Sequence, residues 1–225
     1  REFGHIFYTK KIAQDKDCIH LVDYYLKIAK AAGAVDSTVE FSLPENESAT
    51  ESVKKLLVGY GIDSGNYVVF VPGSAHKSKR WPLERFADLA DKIRAQYNLA
   101  VVAVGSKSEV NSIERIKSLA EAKITNLAGL TDLCQLTALL RGARLVVSND
   151  TGPGHIAAAL GVPLVLMFGW SNPARIAPYH RGDCLIAANN ESRGRKIKSF
   201  KPAHSVNAIT ADEVWEKVCY QLESA

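Results

Sequence analysis

The chain has 225 residues and a mass of 24.5 kDa, with 47% hydrophobic and 23% charged residues and a mean hydropathy of -0.06. These values exclude the disordered, collagen-like and membrane-spanning classes and are enough for one large domain, or one domain with a remnant of another. Twenty-eight Lys and Arg against 24 Asp and Glu leave a charge of +4, a surplus that suits phosphate-bearing or otherwise anionic partners without demanding nucleic acid.

In chain order, the opening Arg1-Glu2-Phe3-Gly4-His5 lacks an initiator Met and the pattern of a signal peptide, and reads as a piece of a longer chain. Leu21, Tyr24, Tyr25, Ile28 and Ala31 recur at helical spacing and predict a helix from His20 to Ala32, closed by Gly33. The polar segment Leu43-Pro44-Glu45-Asn46-Glu47-Ser48 reads as a connector, followed by a helix from about Ala49 to Gly59. A domain boundary is expected between residues 43 and 64, drawn after residue 50. From Tyr67 the rhythm becomes regular, with short apolar runs at Tyr67 to Val71, Leu99 to Val104, Ile124 to Leu127, Leu145 to Ser148 and Leu164 to Phe168. Helical segments separate them at Leu83 to Tyr97, Ser108 to Ala120, Leu133 to Arg141 and Gly154 to Leu160. Strands apolar on both faces that alternate with helices predict an α/β fold, a Rossmann-like doubly wound parallel sheet. Ligands of such sheets bind beyond the carboxyl ends of the strands, so the loops that follow them are where chemistry is to be sought.

The loop Pro72 to Pro82 concentrates His76, Lys77, Lys79 and Arg80 beside Ser74 and Ser78, side chains suited to holding phosphate oxygens; a solvated basic loop is the alternative. Trp81-Pro82 reads as its anchor. The segment Ser148-Asn149-Asp150-Thr151-Gly152-Pro153-Gly154-His155 runs from a strand into a helix of small residues, where unpaired amides and the positive dipole end favour a pyrophosphate. Capping by Asp150 or Thr151 is the structural alternative, as is a packed neutral His155. Asp150-Thr151-Gly152 also spells the aspartic-protease triplet, but such enzymes need two triplets in an all-β framework and only one occurs here. Glu109, after the second strand, can accept ribose hydroxyl bonds or simply cap a helix. Arg193, Arg195, Lys196, Lys198 and Lys201 form a basic run, read either as solvated or as attracted to lipid phosphates. Cys18, Cys134, Cys184 and Cys219 form no CxxC pair and have no His at ligand spacing, so reduced thiols are expected rather than zinc.

Taken together these loops resemble glycosyltransferase family 9, the ADP-heptose:lipopolysaccharide heptosyltransferases. The resemblance rests on Pro72-Gly73 with Lys79-Arg80-Trp81-Pro82 and Phe86-Ala87, on Leu127-Ala128-Gly129 with Leu133, and on Ser148 to Pro153 with His155, Leu160-Gly161, Pro163 and Phe168-Gly169. It implies the C-terminal half of a two-domain GT-B glycosyltransferase. Residues 1–50 would be a remnant of the acceptor domain with its linker, 51–205 the nucleotide-sugar-binding domain and 206–225 a closing helix that packs back toward the acceptor domain. It implies inverting, metal-independent transfer of heptose from ADP-heptose to a lipopolysaccharide inner-core acceptor on lipid A, with no cofactor. Lys79 would stabilise the leaving group, and Ser74, Glu109, Asp150, Thr151, Gly152, Gly154 and His155 would join it in binding the donor, while the general base lies upstream. Gly154 stands where the family commonly has a larger residue, which implies an effect on donor choice. The cytoplasm is the expected location, with peripheral contact at the inner face of the inner membrane. The alternatives are a non-catalytic nucleotide-sugar-binding fragment and a transferase of the same fold using another nucleoside diphosphate sugar.

Overall fold

In a computed structural model, residues 9–36, 38–189 and 191–224 are described. The opening Arg1 to His5 and Asn190 lie outside the described residues. The elements, in order, are α1 (Leu21–Ala31), α2 (Glu47–Gly59), β1 (Tyr67–Val71), α3 (Leu83–Tyr97), β2 (Ala100–Ala103), α4 (Val110–Leu119), β3 (Ile124–Asn126), α5 (Leu133–Arg141), β4 (Leu145–Asn149), α6 (Gly152–Ala159), β5 (Leu164–Phe168), α7 (Pro173–Ile176), β6 (Leu185–Ala187) and α8 (Ala211–Glu223). The six strands form one parallel sheet in the order β3-β2-β1-β4-β5-β6.

Alternation along the strands builds two cores. Val68 and Phe70 of β1 face one side, where they meet Phe86, Ala90 and Ile93 of α3, Ile113 and Ile116 of α4, and Val214, Val218 and Leu222 of α8. Tyr67, Val69 and Val71 face the other, against Val53 and Leu57 of α2, Leu139 and Leu140 of α5, and Ala157 and Ala158 of α6. Every residue of β1, β4 and β5 is buried, so these central strands carry no polar alternation.

Helix ends follow from local chemistry. Asp132 with Gln135, and Thr210 with Glu213, form reciprocal capping boxes at α5 and α8. Asn98 in the left-handed region closes α3. Asn46 caps α2 through Ala49, and α2 lies in the core, so the unit around the sheet begins near residue 46. By contrast α1 contains no buried residue and is held by side-chain ties: His20 Nε2 is 2.9 Å from the Ala177 carbonyl, and the Tyr179 hydroxyl donates to Asp23 at 2.5 Å. The C-terminal helix α8 packs on α3, β4 and β5. Its Gln221 accepts from the Leu164 amide at 3.2 Å, and its apolar face of Val214, Val218 and Leu222 completes the first core.

The basic run divides in two. Arg193, expected with its neighbours on a solvated or lipid-facing loop, is buried and donates from Nη1 to the carbonyls of Gly169 at 2.9 Å and Ser171 at 2.8 Å. Burial lowers its pKa, and its role is to pin residues 193–201 onto the turn after β5. Arg195, Lys196, Lys198 and Lys201 are exposed.

Candidate functional site

The chain leaves β1 toward β2 on one side, while β4 lies on the other, so the carboxyl ends of β1 and β4 form the switch point of the sheet. A cleft of about 720 Å³ opens there, walled by the loops that follow β1, β2, β3 and β4. One buried side chain assembles its floor: Asn149, the last residue of β4, accepts from the Trp81 amide at 3.1 Å and donates to the Pro72 carbonyl at 2.8 Å. Trp81 is the anchor the sequence suggested, 1% exposed, with its indole N–H given to Ile209 O at 2.9 Å.

Between those fixed ends a single 3₁₀ turn, Lys77–Lys79, turns the Lys79 side chain inward. Its Nζ donates to Asp150 Oδ2 at 2.5 Å, with the two side chains 19% and 5% exposed. His155 Nε2 lies 3.4 Å from the other oxygen, Oδ1. Burial alone would raise the Asp150 carboxyl, but hydrogen bonds from His155, Lys79 and Ser171 and the charge of Lys79 outweigh it and hold the pKa down at about 2. Asp150 is therefore ionised, and an ammonium has three donors, of which Asp150 takes one.

The start of α6 supplies backbone donors. Thr151 is its N-cap residue but makes no side-chain cap bond, its hydroxyl lying 3.4 Å from Ser148 Oγ, and the Asp150 carboxylate is turned to Lys79 and His155. Pro153 has no N–H and the His155 amide is bonded to Thr151 O, which leaves the amides of Gly152 and Gly154 without a carbonyl partner among the described residues. Gly152, Thr151 and Asp150 line the cleft, as do Ser74 and Glu109.

Gly154 and His155 are placed differently. Gly154 is buried, and a Cβ there would lie 2.6 Å from Leu166 Cδ1 and 2.8 Å from Ser148 Oγ. Its missing side chain points into the sheet, where it lets α6 press on β4 and β5, and a larger residue there would act on packing before it touched a donor sugar. His155 lines a second, mostly apolar cavity of about 270 Å³ between α1, α6 and the segment after β5, and meets the cleft only through Asp150.

Glu109 caps its own turn, accepting from the Ser106 amide at 2.8 Å and hydroxyl at 2.9 Å through Oε2, so the capping reading holds while Oε1 stays on the cleft side, 4.0 Å from Arg80 Nη2. Gly73 makes this possible, since a Cβ at that position would fall 1.9 Å from Glu109 Oε1. Arg80 in turn forks onto the Ser74 carbonyl, with Nε at 2.9 Å and Nη2 at 2.6 Å. Sequence reasoning missed the fourth wall, made by Thr131, Asp132, Leu133 and Leu136. The Asp132 to Gln135 spacing signals a helix start there, but nothing local says that it faces the β1 loop. Among the described residues no group of three or more His, Cys, Asp or Glu side chains could hold a metal ion.

A doubly wound sheet whose switch point carries a cationic loop and an amide-bearing helix start defines an α/β protein with a cleft suited to an anionic ligand. Within that class, residues 1–204 match glycosyltransferase family 9 (heptosyltransferase), and the chain belongs to this family. It is 31% identical over 200 residues to the lipopolysaccharide core heptosyltransferase OpsX of Haemophilus influenzae, covering 88% of this chain and 56% of that protein. To lipopolysaccharide heptosyltransferase 3 of Escherichia coli it is 27% identical over 202 residues, covering 85% of this chain and 58% of the relative. Among solved structures, the glycosyl transferase family 9 protein from Veillonella parvula superposes with a TM-score of 0.82 at 24% identity, over 98% of this chain and 65% of that one. ADP-heptose LPS heptosyltransferase II of E. coli superposes at 0.66 with 27% identity, over 82% and 54%. The chain thus spans little more than half the length of the curated relatives it matches, 56% and 58% for these two.

Proposed function

We propose that this chain is the donor-binding half of a two-domain GT-B heptosyltransferase that moves heptose from ADP-heptose to an inner-core acceptor of lipopolysaccharide, with inversion and without a metal. The observation that carries the reading is the Lys79–Asp150 pair set beside the free amides of α6 at the switch point of the sheet. The diphosphate sits against Lys79 and the Gly152 amide. Asp150, an anion itself, does not grip it but aims the ammonium, whose two remaining donors face the phosphate oxygens. Ser74 adds a hydroxyl, Glu109 Oε1 accepts from the ribose, and Leu133 and Leu136 offer an apolar wall to the base. A relative whose name includes ADP-heptose shares 27% identity over most of this chain, which supports the choice of donor.

As the acceptor hydroxyl attacks the anomeric carbon, the bond to the diphosphate breaks and negative charge grows on ADP. Lys79 and the helix amides stabilise that charge more in the transition state than in the ground state. The proton of the attacking hydroxyl goes to a base in the part of the relatives' length that this chain does not span. The protein works in the cytoplasm, against the inner face of the inner membrane, where such an acceptor is made.

Lys79→Ala tests the assignment. By analogy with a lost oxyanion donor, transfer by the full-length enzyme should fall about 10²- to 10³-fold, and calorimetry should show weaker ADP binding with ADP still preferred over UDP and GDP. Unchanged turnover and ADP affinity would sink the reading. A second reading, a binder that does not itself transfer sugar, is favoured for the isolated chain by its coverage of 56% of the relative's length.

A further inference from the structure

The exposed half of the basic run has no part in the donor site. Over residues 194–201 the chain forms a strap laid against the turn after β5. Ser171 pairs with Lys198 in an antiparallel bridge, the Asn172 amide donates to Ile197 O at 2.8 Å and the Ser199 amide to Trp170 O at 2.8 Å. The Asn172 side chain donates to Gly194 O at 2.9 Å and to Lys196 O at 2.8 Å, and buried Arg193 holds the root of the strap. The backbone is thus satisfied from behind, while Arg195, Lys196, Lys198 and Lys201 stand in solvent. Between them Ile197 is 44% exposed and Phe200 70%, its ring edge resting 5.1 Å from Trp170. The sequence carries no Asp or Glu from Ser192 to Ala211. Glu191, 3.7 Å from Lys201 and itself exposed, is the acid recorded against the strap, and Arg195 is tied to the Gln14 carbonyl rather than to a carboxylate.

Four cations around two outward apolar side chains, on a segment that folding holds open rather than buries, match an anionic interface with an apolar interior beneath it. We propose that residues 194–201 are a docking surface for an anionic lipid bilayer, with Ile197 and Phe200 entering the headgroup region and the four basic side chains meeting lipid phosphates. The strap lies at the carboxyl end of β5, the same rim of the sheet on which the cleft opens. Docking would therefore bring the cleft toward the bilayer. The inference deepens the reading of a membrane-lipid acceptor, but its test uses vesicles without acceptor sugar and reads nucleotide affinity separately, so each can fail alone.

The experiment is cosedimentation with vesicles of phosphatidylcholine alone and of phosphatidylcholine mixed with phosphatidylglycerol, for this chain and for the full-length protein. Binding is expected to the mixed vesicles only and to weaken with salt. Lys196→Gln with Lys198→Gln should lower partitioning about fivefold per charge, about 25-fold together, while ADP affinity and thermal midpoint stay at wild-type values. Ile197→Ser with Phe200→Ser should weaken binding and leave its salt dependence. A control pair on α2, Lys54→Gln with Lys55→Gln, should bind as wild type. Equal binding to both vesicle types, an unaffected Lys196/Lys198 variant, or a control that falls as far would overturn the proposal. So would binding by this chain that vanishes in the full-length protein, since protein would then cover the strap.

Discussion

Asp150 is the residue on which the site turns, and its ionisation gives a prediction with a definite sign. The fold depresses its pKa from 3.8 to about 2, so its contribution to stability is complete above about pH 4 and is lost as the pH falls through 2. The shift corresponds to about 2 kcal/mol. Asp150→Asn should destabilise the protein by at least that amount at neutral pH, because it also leaves Lys79 without its ion partner in a site that is 19% exposed. Urea denaturation across the acid range should show the gap between variant and wild type closing from pH 4 downward. A constant gap would mean that the carboxylate's charge is not what the fold uses. This pairing was beyond reach of the sequence. Lys79 and Asp150 are both conspicuous in their loops, but they are 71 positions apart, and only the adjacency of β1 and β4 brings them into contact. For the same reason the sequence could not show that the absent Cβ of Gly154 faces Leu166, which leaves the backbone amide as the group through which Gly154 could meet a donor.

At the scale of elements, the strands that run apolar on both faces were legible because burial on both sides of a parallel sheet leaves no polar alternation to confuse them. Helix α3 spans the Leu83 to Tyr97 expected from its periodicity. Strand β6 was not legible, since three residues at the edge of a sheet, Leu185–Ala187, carry too short a pattern to stand out. The sequence predicts helices at both α1 and α2, with the clearer apolar spacing in α1, yet only α2 sends residues, Ala49, Val53 and Leu57, into a core. Leu57 is 2% exposed, so Leu57→Ala should cost about 2–5 kcal/mol. Ile28→Ala on α1, where the side chain is 39% exposed, should change stability by no more than about 0.5 kcal/mol. Equal losses in chemical denaturation would show that α1 is as deeply built into this unit as α2.

For the whole molecule, family membership and coverage together set what this chain can do. It carries a cleft at the switch point of one doubly wound sheet, while covering 56% of the length of the Haemophilus influenzae relative. In a single-turnover assay the chain alone should bind ADP-heptose without transferring it, and transfer should appear in the full-length protein. Turnover by the chain alone would place the base among these residues and return the cavity beside His155 to the centre of attention.

Asn149 has one more consequence. Its carboxamide fastens Pro72 and Trp81, the two feet of the loop after β1, to the tip of a single strand. That arch cannot swing as a door does. Any give that accompanies ligand entry has to be flexure of its crown, around Ser74 to Lys79, while the span between its footings stays the width of one amide.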